Sequence, residues 1–199
     1  MTKIAVVYYS STGNTHQLAR AVAQGAEEAG AEVRLRRAAE TAPAAAIDSS
    51  PAWRAHLDAV ADIPLAEPAD LEWADGYALG TPTRFGTPSA QLKSFIDTLG
   101  PLWATGKLAN RGATAFTSAQ NTHGGNESTI LTLFNIFSHF GAVIVPPGYT
   151  DPLLFAAGGN PYGASVASAG NANAASDEVL TAARYQGRRL AEISAKLVA

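Results

Sequence analysis

The chain has 199 residues, 47% of them hydrophobic and 16% charged, with a formal net charge of −3 from 14 basic and 17 acidic side chains. That composition excludes a disordered chain, and no basic stripe is present to serve as a nucleic-acid footprint. The absence of cysteine removes disulfide scaffolds and thiolate metal sites, and no apolar stretch approaches the roughly twenty residues of a membrane span. The first apolar run is too short for a secretory signal. The expectation is one domain over 1–199 in the cytoplasm, with no nucleic-acid partner, no membrane span and no metal.

"KIAVVYY", Lys3 to Tyr9, is a continuous β-branched and aromatic run, the pattern of a strand buried on both faces. From Thr15 onward Leu18, Ala19, Val22 and Ala26 recur at helical spacing, and Gly30 stands where that helix would stop. "AEVRLRR", Ala31 to Arg37, alternates apolar and charged residues and reads as a strand nearer the sheet edge. The Ala- and Pro-rich segment from Ala38 to Ala69 reads as a long connection with one short helix near Pro51 to Val60. Gly76 to Thr81 reads as a central strand. Thr87 and Pro88 then read as the N-cap and first residue of a helix striped by Leu92, Phe95, Ile96 and Leu99. Gly112 to Gln120 is a fourth strand, followed by a helix with Ile130, Leu133, Phe134 and Phe137 on one face. Ala142 to Pro147 is a fifth strand. Gly148 to Ala175 lacks periodicity and reads as a long structured loop, and Ser176 caps a last helix whose first turn holds Asp177 and Glu178.

Strands alternating with helices argue for a parallel α/β sheet, whose ligands bind beyond the carboxyl ends of the strands. Three polar loops would emerge there together: "SSTGNT", "TPTRFGT" and "SAQNTHGG". In the first, Ser10, Ser11, Thr12, Asn14 and Thr15 supply hydroxyl and amide donors, Gly13 allows a sharp turn, and the helix start adds free N–H groups. This is a phosphate nest without Lys or Arg; the alternative is an ordinary strand-to-helix turn. Neither the NTPase loop nor G-x-G-x-x-G is present. In the second loop Phe85 either packs on a planar ligand or tucks into the core. Arg84 there either meets a ligand or makes a surface ion pair. In the third, Ser118, Gln120, Asn121, Thr122 and His123 precede Gly124 and suit hydrogen bonds to a polar ring edge. His139 reads as a capping or packing residue, and Trp103 as a core plug or a site wall.

"YYSSTGNT" resembles the phosphate loop of flavodoxin-like proteins. Together with "GTPTRFG", "PLW", "TSAQNTHGGNES", "IVPPGY", "NPYGAS" and "ARYQGRRLAE", in that order, the chain resembles the WrbA family of NAD(P)H:quinone oxidoreductases. The resemblance implies a flavodoxin-like fold, a five-stranded parallel sheet of order 2-1-3-4-5 with helices on both faces. It also implies FMN as cofactor, with NADH or NADPH as electron donor. It places the FMN phosphate on Ser10, Ser11, Thr12, Gly13, Asn14 and Thr15, and the flavin ring against Thr83, Arg84 and Phe85. Ser118, Ala119, Gln120, Asn121, Thr122, His123 and Gly124 would hold the ring edge and ribityl chain. His139 matches a flavin-contacting position that a neighbouring chain can supply, and Trp103 a position in the substrate pocket. A homotetramer, a dimer of dimers, is implied as well. Thr12 departs from the family, many of whose members carry an aromatic residue there, and the third loop lacks the usual glycine run.

The activity implied is two-electron transfer from NAD(P)H through FMN to a quinone, giving a hydroquinone. The flavin carries the chemistry and His139 is an assisting residue. The alternative is a flavodoxin-type electron carrier without substrate turnover. Carriers of that kind usually present a strongly acidic face, which a net charge of −3 does not provide.

Overall fold

A strand that is apolar at every position needs cover on both faces, and the sheet supplies it. In the computed structural model, which describes residues 1–172 and 174–198, β1 (Lys3–Tyr8) lies between β2 (Glu32–Arg37) and β3 (Gly76–Arg84), and all three are parallel. β5 (Gly112–Ala119) extends the sheet beyond β3, and β6 (Val143–Ile144) beyond β5, giving the order β2-β1-β3-β5-β6. The fold is flavodoxin-like α/β. Ile4, Val6 and Tyr8 of β1 face one side, where they pack with Leu18 and Val22 of α1 (Asn14–Glu28) and Leu190 of α9 (Asp177–Leu197). Ala5, Val7 and Tyr9 face the other, against Leu92 and Ile96 of α5 (Ala90–Asp97) and Ile130 and Phe137 of α7 (Asn126–Phe140). Each large apolar side chain so buried contributes about 1.5–3 kcal/mol.

α1 and α9 cross where each offers a glycine to the other's backbone. A β-carbon on Gly25 would lie 1.8 Å from the carbonyl oxygen of Arg184, and one on Gly187 1.9 Å from that of Val22. At the sheet's edge, Arg34 and Arg36 of β2 both reach Asp70 Oδ1, at 3.3 and 3.0 Å, and the Arg34 guanidinium lies 4.1 Å from the Trp73 ring centre.

The sheet has seven strands among the described residues, not five. β4 (Thr87–Pro88) returns antiparallel onto the end of β3, so Thr87 and Pro88 are strand residues, and the hydroxyl that caps α5 belongs to Ser89. The expected fifth strand shrinks to Val143–Ile144, and its line is resumed by β7 (Ser165–Ala167). β7 pairs Thr117 to Ala119 of β5, while β3 already occupies Thr117 and Ser118 from the other side. β6 and β7 are therefore one edge strand interrupted by an excursion carrying α8 (Leu153–Ala156), and Gly148 to Ala175 is not simply a loop. The segment from Ala38 holds α2 (Ala44–Asp48) and the start of α4 (Pro68–Trp73) besides the expected α3 (Pro51–Ala59). The start of α4 is set by a reciprocal capping box between Glu67 and Asp70. α6 (Gly100–Ala104) completes the helices of the described residues.

Candidate functional site

The first strand-to-helix connection is built from backbone. Gly13, immediately before α1, has φ 100°, a left-handed conformation that a β-carbon would strain. The turn leaves the first amides of α1 without a side-chain cap among the described residues. The Gly13 amide itself donates to Ser10 Oγ at 3.0 Å and folds the loop back. Free amides at the positive end of a helix, beside Ser and Thr hydroxyls, make an anion nest.

A cavity of about 420 Å³ opens over this loop, within the ~300–1,000 Å³ common for small-molecule sites. Ser10, Ser11, Thr12, Asn14 and Thr15 form one wall, Pro82, Thr83 and Arg84 a second, and Ser118, Ala119, Gln120, Asn121 and Gly124 a third. The three loops leave the same ends of β1, β3 and β5, as the parallel order requires. They are also tied to one another and to the helices behind them. Thr15 Oγ1 and Ser118 Oγ are 2.9 Å apart in the buried floor. Thr83 Oγ1 accepts from the Gly86 amide at 3.1 Å and from Thr129 Oγ1 at 2.8 Å, fixing the second loop to α7. Arg84 Nη1 donates to the carbonyl of Thr83 at 2.9 Å.

His16, in the first turn of α1, shares a 2.7 Å hydrogen bond with the Tyr8 hydroxyl, and its ring centre lies 5.4 Å from that of His56. Burial, with the nearby His56 and Arg20 charges, lowers its pKa from 6.5 to about 4, so the ring is neutral near pH 7. The lining offers backbone dipoles and hydroxyls suited to an anion, with Arg84 its charged side chain among the described residues.

Several of the residues singled out in the sequence lie off this lining. Phe85 is fully exposed at φ 53°, beside the cavity rather than in the core. Thr122 lines a neighbouring cavity of about 330 Å³, and His123 is exposed. Trp103 and His139 meet each other instead. The indole Nε1 donates to the His139 carbonyl at 2.8 Å, near the C-terminal end of α7, about 20 Å along that helix from the cavity at 1.5 Å per residue. A fourth wall, Ser168, Gly170 and Asn171, had no counterpart in the sequence reading. It is latched by Asn14, whose Nδ2 donates to the Asn171 carbonyl at 2.9 Å and whose Oδ1 accepts from the Ala174 amide at 2.7 Å. The Asn14 carboxamide thus ties the first wall to the fourth. "AGN" at Ala169 to Asn171 is a visible turn signal. What brings that turn over the site is β7, which the sequence pattern did not show.

Residues 2–151, which carry β1 to β6 and the first three walls, match the family described as NADPH-dependent FMN reductase. The chain belongs to this family. A protein of Deinococcus radiodurans named NAD(P)H dehydrogenase (quinone) is 50% identical to this FMN reductase family member over 196 residues, 98% of this chain and 97% of its own length. A protein of the same name from Caulobacter vibrioides is 41% identical over 202 residues, covering 99% of both chains. Among solved structures, a flavodoxin, WrbA-like protein from Agrobacterium tumefaciens aligns with a TM-score of 0.67 and 26% identity over 98% of this chain and 99% of its own. An archaeal flavodoxin, at 18% identity and TM-score 0.62, covering 98% of this chain and 99% of its own, shares the fold. The residues of this FMN reductase relative suit a phosphate monoester bearing a planar ring. The cavity lining combines a neutral donor nest, a guanidinium and a polar loop.

Proposed function

We propose that the chain is an FMN-dependent NAD(P)H dehydrogenase (quinone), passing two electrons from NADH or NADPH to a quinone. The observation that carries this reading is the uncharged nest before α1, opening into a cavity walled by the loops that follow β1, β3 and β5. The hydroxyls of Ser10, Ser11 and Thr12 and the first amides of α1 would hold the FMN phosphate. Thr83, Arg84 and the exposed Phe85 would flank the ring, and Ser118 to Gly124 would hold its polar edge. Bound FMN supplies the chemistry of accepting a hydride and giving up an electron pair. The protein's part is orientation and charge. The guanidinium of Arg84 would stabilise negative charge on a reduced ring. Phe85 offers an apolar face to a planar substrate.

We read Trp103 as a substrate-pocket residue and His139 as an assisting one, both delivered to the cavity of a neighbouring chain in a homotetramer. Their distance from their own chain's cavity supports this, as do exposed aromatic side chains beyond it. Trp103 is 56% exposed, and Tyr149 and Phe155 stack in the open with ring centres 5.0 Å apart. Working as a single domain in the cytoplasm, the enzyme needs no metal. The deciding experiment is steady-state oxidation of NADH and of NADPH. Dependence on both added FMN and benzoquinone supports the enzyme. FMN binding with no nicotinamide oxidation leaves an electron carrier, and failure to bind FMN sinks both.

A further inference from the structure

Glu40 follows β2 by three positions and belongs to none of the walls of the cavity, yet among the described residues its side chain accepts more hydrogen bonds than the side chain of any wall residue makes. Its Oε2 accepts from the Tyr9 hydroxyl at 2.8 Å and from the Trp53 indole at 3.0 Å. Its Oε1 accepts from Gln91 Nε2 at 2.8 Å and from the amides of Thr41 and Ala42, each at 2.9 Å. Both oxygens are committed to donors, an arrangement that only an ionised carboxylate satisfies. Burial alone would raise its pKa, but the Ala42 amide and the Gln91, Tyr9 and Trp53 donors together hold it below the usual carboxylate value.

Two of the donors, Tyr9 and Gln91, adjoin segments that carry different walls. Tyr9, 3% exposed, is the residue before the phosphate loop. Gln91 lies in the first turn of α5, directly after the β3–β4 turn that presents Thr83, Arg84 and Phe85. Trp53 anchors α3 to the same point.

We propose that Glu40 is a positioning residue for the cofactor cavity: by holding Tyr9 and Gln91 on one carboxylate it sets the spacing between the nest and the ring-flanking turn. The inference rests on the FMN reading. It has a distinctive consequence, because FMN spans the two walls whereas smaller probes touch one each. A ligand that bridges two sub-sites gains from their fixed separation, and that gain is lost when the separation wanders.

Glu40→Gln tests this, since a carboxamide turns an N–H₂ toward one of the two donor sets. Affinities for FMN, riboflavin and inorganic phosphate are measured by flavin fluorescence and by phosphate competition. The expected result is FMN binding weakened about tenfold, with riboflavin and phosphate each within about twofold of wild type. Unchanged FMN affinity overturns the proposal. So does a parallel loss of all three affinities with a lowered Tm, which would mark a structural role only. If Glu40→Gln does not fold, Gln91→Met and Tyr9→Phe each remove one donor and are held to the same pattern. A wild-type protein that binds riboflavin and phosphate but not FMN, or none of the three, refutes the cavity assignment itself rather than the role of Glu40 alone.

Discussion

Thr15 and Ser118 meet hydroxyl to hydroxyl at 2.9 Å, and both are buried, one from the start of α1 and the other from the end of β5. The pair stitches the first loop to the third beneath the cavity. Thr15→Val keeps the shape and removes the hydroxyl, leaving Ser118 without that partner. Unfolding in urea is expected to show a loss of about 1–3 kcal/mol, and FMN affinity is expected to fall with it. Thr15→Ser should restore most of both. If Thr15→Val matches wild type in both measurements, the stitch is dispensable.

The crossing of α1 and α9 has no room for a methyl group on either glycine. Gly187→Ala places a carbon against the backbone carbonyl of Val22, and backbone cannot swing aside as a side chain can. The helices must part, at a cost of about 1–3 kcal/mol or more. The urea midpoint should drop with little change in slope. A midpoint within error of wild type would mean that α9 shifts freely on α1.

His16 makes stability depend on pH in a stated direction. Its pKa is lowered from 6.5 to about 4, chiefly by burial, with His56 and Arg20 adding and Asp62 opposing. Between those values the unfolded chain binds the proton and the folded chain does not. The contribution is therefore whole above about pH 6.5 and is lost as the pH falls toward 4, moderated by the ring's partial exposure to solvent. Tm should decline between pH 7 and 4.5, and His16→Gln should flatten the slope. Parallel profiles for the two proteins would exclude His16 as the source.

The proposed delivery of His139 to a neighbouring chain's cavity predicts complementation between chains. Gly13→Val is expected to abolish FMN binding by denying the loop its left-handed turn, and His139→Ala to lower quinone reduction. Co-expressed, the two variants should form mixed oligomers in which an intact cavity receives an intact His139 from its neighbour. Activity recovered above that of either variant alone supports a site shared between chains. Purely proportional activity places His139 outside the reaction or within its own chain.

Much of the architecture was legible because burial on two faces leaves a plain signature. The unbroken run Lys3 to Tyr9 and the stripe Leu92, Phe95, Ile96, Leu99 needed no tertiary information. The strand-to-helix turn at Gly13 was legible for a local reason too, since a glycine between hydroxyl residues at a strand's exit marks a sharp turn. What escaped notice depends on pairing at a distance. β7 is three residues long and exists because β5 offers an open edge there. The fourth wall follows from β7, and so does the engagement of Asn14 with it. The capping box at Glu67 and Asp70 was available in "EPAD" but stood inside a segment whose composition suggested only a connection. Glu40 gave little local signal, because three of its five donors, Tyr9, Trp53 and Gln91, are distant in sequence and only the Thr41 and Ala42 amides are neighbours.

The interruption of the outer strand has a consequence for the molecule's behaviour in a crowded solution. An open sheet edge invites foreign strands to add to it, and long flat edges are templates for aggregation. Here one rim is cut into runs of two and three residues separated by an outward detour. The other carries arginines drawn down onto Asp70, and its last residue, Arg37, is already paired with Leu65. The β6–β7 rim offers no uninterrupted ladder, so the geometry that places the fourth wall also makes that rim a poor template for stray chains.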